Sequence, residues 1–170
     1  MSAVQPGNNF ELVGAGAAFK DEICDMISET QLFADLEWKD IQGLANYVQC
    51  YRVTAGTEVF REGDAGTYVC LLVKGQVEVL KSDQDGDMHR IVVVSRGKTV
   101  GEMSIIDGEP RSATCIASQD SVLLLLTKDN FARIIHDRPG LAVQILAKLA
   151  KLMSQRLRGV SGQLVEFLES

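Results

Sequence analysis

The sequence is poor in the residues that usually carry chemistry. It holds two histidines, His89 and His136, and four cysteines, Cys24, Cys50, Cys70 and Cys115, with no C-x-x-C pair. That spacing offers no ligand set for zinc or an iron–sulfur cluster, so no metal or cofactor is expected. There is no Ser/His/Asp arrangement and no Walker-type loop, which argues against an enzyme. Long apolar runs are missing too: Val122–Leu126 falls far short of the roughly 20 residues that span a bilayer. The N-terminus, MSAVQPGNNFELVG, lacks a basic stretch followed by an apolar one, so no signal peptide is expected. A surplus of positive charge is also absent. Lys and Arg number 17 against 23 Asp and Glu, and the net charge of −6 makes a poor generic binder of nucleic-acid backbones. Cys70 and Cys115 sit in apolar runs and read as small core residues, a usage that fits a reducing cytoplasm.

What is present is ordinary globular material: 170 residues, 46% hydrophobic, enough for one domain with helical flanks. Residues 1–16 carry little periodicity and read as a loose arm. Phe19, Ile23, Met26 and Ile27 recur at helical spacing over Ala17–Thr30. A second helical pattern runs from Leu32 to Val48, interrupted at Asp40 and Gly43 so that two short helices fit as well as one. After Gln49 the period falls to two. Short strands are expected around Tyr51–Val53, Glu58–Phe60, Tyr68–Val73, Gln76–Lys81, Ile91–Val94, Ser112–Ala117 and Val122–Leu126, with glycines between them. Such spacing indicates an antiparallel sandwich or roll rather than βαβ units.

Thr127 can cap a helix reaching Ile135, with His136 at its C-terminal end, and Arg138-Pro139 opens a final helix towards Leu168. Leu146, Leu149, Met153, Leu157, Val160, Leu164 and Phe167 form a heptad-like stripe on it, weakened near Gly159 and Gly162. Lys148, Lys151, Arg156 and Arg158 read as a solvated face of the same helix.

The informative stretch is GEMSIIDGEPRSAT, Gly101 to Thr114. Gly101 allows close backbone approach beside Glu102. Met103–Ile106 makes one helical turn whose opening amides favour an anion. Arg111 offers a planar fork for a phosphate, and the Ser112 hydroxyl and Ala113 amide add donors. A carboxylate repels phosphate but suits a sugar hydroxyl, which needs an acceptor. Together these residues describe a pocket for a phosphorylated sugar. An ion pair between Arg111 and Glu102 is the competing structural reading.

This segment resembles the phosphate-binding cassette of the cyclic nucleotide-binding domain family, and Ala55-Gly56-Thr57, Phe60–Asp64, Leu71–Gly75 and Gly97 resemble the family's approach to it. The resemblance covers about residues 32 to 152 and implies a mainly β fold: an antiparallel β-roll (double-stranded jelly roll) with N-terminal helices and a long C-terminal helix. It divides the chain into an arm and helix (1–30), the β-roll with short helices (31–136) and a C-terminal helix (137–170). It also implies that Glu102 accepts the ribose 2′-hydroxyl and that Arg111 pairs with the cyclic phosphate. The amides of Met103, Ser104 and Ala113 and the Ser112 hydroxyl would complete the cradle. Val100 departs from the aromatic residue that the family more often places before Gly-Glu. Ser112 rather than Thr leans towards cAMP over cGMP. The base-capping residue of the C-terminal helix does not align. The implied function is a cAMP-binding sensor relaying occupancy through that helix to an effector protein or a homodimer. The alternatives are a scaffold that keeps the fold without the ligand, or a sensor of a different nucleotide. The 20 residues after Ala150 leave no room for a helix-turn-helix, so no direct DNA binding is expected, and no membrane contact.

Overall fold

The structure is a computed structural model that describes residues 9–169, with side chains described as far as residue 165. Among the described residues nine strands form two antiparallel sheets. β1 (Glu11–Ala15), β2 (Val48–Val53), β4 (Tyr68–Lys74), β7 (Thr99–Val100) and β9 (Ser121–Thr127) make the first, in the order β1-β2-β9-β4-β7. β3 (Glu58–Phe60), β5 (Gln76–Ser82), β6 (Met88–Ser95) and β8 (Thr114–Ala117) make the second, in the order β3-β8-β5-β6. The helices are α1 (Lys20–Ser28), α2 (Trp38–Ala45), α3 (Glu102–Asp107), α4 (Lys128–Asp137) and α5 (Pro139–Glu169). This is the expected β-roll with its flanking helices. Among the described residues no helix is long and apolar enough to cross a membrane.

Two apolar clusters hold the fold together, and they explain why β9 is apolar without interruption. Leu123 and Leu125 point between the sheets, beside Val53, Cys70, Leu72, Val77, Cys115 and Ala117. Leu124 and Leu126 point the other way and meet Ile27, Leu44, Phe131, Ile145 and Leu149 from the helices. A strand covered on both faces loses its period-two pattern. Each such leucine contributes about 1.5–3 kcal/mol when fully buried.

Several local expectations need correction. Residues 11–15 of the supposed arm form β1, which pairs with β2 through Glu11 opposite Arg52 and Ala15 opposite Gln49. Leu12 and Val13 on this edge strand are exposed, so no alternation betrayed it. The first eight residues of that arm lie outside the described residues. The second helical pattern is a helix only from Trp38 to Ala45. Before it the chain turns, held by Gln31 N donating to Gly97 O at 3.1 Å, and still buries Phe33 and Leu36. Gly43 does not break α2. A Cβ there would crowd the Arg138 guanidinium, so the glycine leaves room for that side chain. Thr127 does cap α4, its hydroxyl accepting from Asn130 N at 3.1 Å. α5 runs through Gly159 and Gly162 without a break.

The stripe on α5 is two surfaces rather than one. Of its residues Leu149 is buried and Met153 half-buried, whereas Leu146, Leu157, Val160 and Leu164 are exposed; the face of α5 in the helical cluster is Leu141, Ala142, Ile145 and Leu149. Phe167 lies beyond the described side chains. Nor is the basic face simply solvated: Lys148 pairs with Asp35, and Arg156 turns inward.

Candidate functional site

The cassette lies between β7 and β8, where the chain leaves one sheet and returns to the other. Gly101 adopts a left-handed conformation with φ 81°, and Gly108 ends α3 with φ 76°. A Cβ at Gly101 would lie 2.4 Å from Arg111 Nη1 and 3.1 Å from the Phe60 ring, so both the backbone angle and the space demand glycine. α3 begins at Glu102, and its Ser104 faces Gly66, where a Cβ would lie 2.0 Å from the Ser104 Cβ. Read from sequence only as turn punctuation, Gly66 is what lets α3 sit against the loop before β4.

The far end of the cassette is clipped to that same loop. Arg111 N donates to Asp64 O at 2.8 Å, Gly63 N to Arg111 O at 2.8 Å, and Glu62 N to the Thr114 hydroxyl at 3.0 Å. Lys81 Nζ donates to Ser112 O at 2.7 Å and also to the Glu62 carboxylate, which accepts from Ser82 N as well. The Lys81 contact, followed by the Ser82 amide, holds the Glu62 carboxyl below its usual range.

Arg111 is the centre of the site. Its side chain is 3% exposed, yet it makes no ion pair among the described residues. Nη1 donates to Gly101 O at 2.9 Å and Nη2 to Tyr68 O at 2.6 Å. The guanidinium carbon stands 4.1 Å from the centre of the Phe60 ring and 4.9 Å from that of Tyr68. Nε is buried with no hydrogen-bond partner. Burial pulls the Arg111 pKa down, but a guanidinium stays protonated. The result is a buried cation neutralised by no carboxylate, with only two of its five donors bonded. The chemistry of such a group suits an anion.

Glu102 is buried almost as completely, at 2% exposure. It does not pair with Arg111. Its Oε1 accepts from Arg156 Nη1 of α5, and Arg156 Nη2 donates to Thr99 O at 2.7 Å. The Glu102 Oε2 is buried without a partner. The carboxylate therefore keeps one oxygen available to accept a hydroxyl.

The other expected residues separate by exposure. Ser104 and Ala113 are buried, whereas Met103 and Ser112 are exposed at the rim, with Ser112 Oγ 3.8 Å from Met103 Sδ. Sequence reading missed Phe60, Tyr68, Gly66 and Arg156. Phe60 and Tyr68 look like ordinary strand residues, and Arg156 lies 54 positions from Glu102 on a helix whose cations all read alike.

Comparison with known proteins agrees with this geometry. The chain is 29% identical over 127 residues to the cyclic AMP receptor protein of Thermus thermophilus, a match covering 75% of this chain and 57% of that protein. It is 30% identical over 111 residues to the cAMP-dependent protein kinase regulatory subunit of Blastocladiella emersonii, covering 65% of this chain and 28% of that one. It thus spans little more than half of the first relative and under a third of the second. The crystal structure of a cyclic nucleotide-binding domain from Methylobacillus flagellatus superposes with a TM-score of 0.81 at 30% identity, covering 92% of this chain and 88% of that chain. The family profile described as "Cyclic nucleotide-binding domain" matches residues 51–138. From the β-roll, the cassette and these likenesses it follows that this chain belongs to the cyclic nucleotide-binding domain family.

Proposed function

We propose that the chain is a sensor that binds cAMP and performs no chemistry on it. One observation carries the reading: a deeply buried Arg111 without a carboxylate partner among the described residues, its Nε unbonded, joined through the carbonyl of Gly101 to the start of α3, where a buried Glu102 keeps one oxygen free. A cyclic phosphate supplies the anion that Arg111 lacks, and the ribose 2′-hydroxyl supplies the donor that Glu102 Oε2 lacks. Gly101 holds the turn, the amides of Met103, Ser104 and Ala113 face the phosphate, and the Ser112 hydroxyl closes the rim. That Ser112 is not Thr favours cAMP over cGMP. The relatives named for cAMP support the same ligand.

In this reading 31–136 is the binding unit and 137–170 the output. Ligand occupancy shifts the balance between arrangements of α5, by an amount set by the difference in ligand affinity for them. The exposed Leu157, Val160 and Leu164 then present a face to an effector protein or to a second copy of the chain. Signalling occurs in the cytoplasm, without direct contact to DNA or membrane. Calorimetric titration with cAMP, cGMP and a cyclic dinucleotide tests the reading. Saturable cAMP binding, tighter than that of the other two, is expected. No heat with any of them would leave a scaffold that keeps the fold without the ligand.

A further inference from the structure

We infer that the chain carries a second ligand site, a cationic cavity beneath α5 that takes a small multivalent anion with the chemistry of a phosphorylated or polycarboxylate metabolite. The inference goes beyond the cAMP reading and stands apart from it, since none of the residues that line the cavity belongs to the cassette.

The cavity lies where three parts of the chain meet: the turn over residues 31–36, the turn between β6 and β7, and the face of α5 that bears Lys148, Lys151, Leu152 and Gln155. Those four positions follow the i, i+3, i+4, i+7 spacing that sets side chains on one side of a helix. In sequence the two lysines look like a solvated face, and only the packing of α5 against the turns makes them a wall. The cavity holds about 270 Å³, just under the roughly 300–1,000 Å³ of drug-sized sites, so its occupant is small. The walls are bonded to one another. Gln31 N donates to Gly97 O at 3.1 Å, Gly97 N donates to Leu72 O of β4 at 2.7 Å, and Lys148 of α5 pairs with Asp35. No aromatic ring is among the lining residues, so the cavity offers no platform on which a base could stack.

Charge decides the class of occupant. Lys98, Lys148 and Lys151 line this one cavity with a single carboxylate, Asp35, among its lining residues, although the chain as a whole carries a net charge of −6. The hydrogen bond from Lys148 holds the Asp35 carboxyl below its ordinary range, and Lys151 adds to the effect, so both ammonium groups act on the same spot. Glu29, at the end of α1, is already paired with Arg96. The cavity therefore keeps an excess of positive charge. Ammonium groups are compact charges on flexible stems, which suit an anion carrying several charged oxygens. Thr99 supplies the inner contact. It is 2% exposed, its carbonyl accepts from Arg156 at 2.7 Å, and its hydroxyl is buried without a hydrogen-bond partner. An unbonded buried hydroxyl is costly, and an anion oxygen satisfies it as acceptor. An anion held there bridges both turns and α5, which ties the helix to the roll by a ligand other than the nucleotide.

The test is calorimetric titration of the full chain with pyrophosphate and with citrate, against sodium chloride at matched ionic strength. It is run on R111A, so that the cassette cannot take up the anion, and again on the wild type with saturating cAMP, which needs no substitution. Saturable binding of at least one anion is expected, and the tighter of the two says whether the natural occupant is phosphorylated or a polycarboxylate. In either background K98M/K151M, which keeps the lysine stems without their charge, is expected to weaken binding by about tenfold or more, the scale of one charge-assisted hydrogen bond. T99V, which keeps the shape and removes the hydroxyl, is expected to weaken it by about threefold or more. Urea unfolding verifies that each variant folds. No saturable binding of either anion, heat that chloride reproduces, or unaltered affinity in either variant overturns the inference. A cAMP titration of the wild type decides the cAMP reading separately, and its failure leaves the R111A titrations standing.

Discussion

Arg111 stacks its guanidinium on the ring of Phe60, with 4.1 Å between the guanidinium carbon and the ring centre, so a residue of β3 fixes the orientation of the cation on which the cassette depends. The ring leaves the in-plane N–H groups free to bond while it covers one face. Cation–π contacts of this kind contribute about 0.5–2 kcal/mol. Replacing Phe60 by Leu is therefore expected to weaken cAMP binding by roughly two- to thirtyfold, read by calorimetry. Unaltered affinity would show that the ring does not orient Arg111.

Gly66 gives a sharper packing test. Its Cβ would lie 2.0 Å from the Ser104 Cβ, an atom fixed to the α3 backbone rather than the tip of a flexible side chain. Gly66→Ala is expected to cost about 1–3 kcal/mol of stability, as overpacking does, and to weaken cAMP binding by displacing α3. Urea unfolding and a cAMP titration of the same variant read the two effects.

Thr127 is both the last residue of β9 and the cap of α4. Thr127→Ala removes the acceptor for Asn130 N and is expected to lower stability by about 1 kcal/mol. Thr127→Ser, which keeps the hydroxyl, should recover most of it. Equal loss in both variants would place the cost in packing of the methyl group instead.

Glu62 gives the fold an acid-sensitive clip. Its folded pKa lies below the ordinary value of 4.5, chiefly because Lys81 donates to it. A lowered carboxyl pKa stabilises the folded state fully above the unfolded value and loses that contribution as pH falls through the folded one. Stability should therefore decline on acidification from about pH 4.5 downwards more steeply in the wild type than in Glu62→Gln. Parallel acid-unfolding curves for the two proteins would remove Glu62 from the account.

The roll and its cassette were legible because their signals are local. Period-two strands, glycine turns and the 14 residues from Gly101 to Thr114 sit in continuous sequence. β1 was missed because an edge strand exposing Leu12 and Val13 has no buried alternation to reveal it. The turn over residues 31–36 looks helical in sequence because its apolar residues, Phe33 and Leu36, are buried at a spacing that also fits a helix. In sequence Arg156 looks like any solvated cation, because its partner Glu102 on α3 is brought near α5 only by the fold. The cassette residues announced themselves by neighbourhood; the groups that hold them, Phe60, Tyr68, Gly66 and Arg156, could not.

The central claim is that a cyclic phosphate meets Arg111, and the Arg111 Nε–H is the most direct witness. In a spectrum of arginine side-chain Nε–H groups, with the Arg111 signal assigned from its loss in Arg111→Lys, saturating cAMP is expected to shift that signal strongly, and Arg111→Ala to lose affinity by about tens- to thousands-fold. A bound nucleotide that leaves the Arg111 signal unmoved and the Arg111→Ala affinity intact would contradict the account.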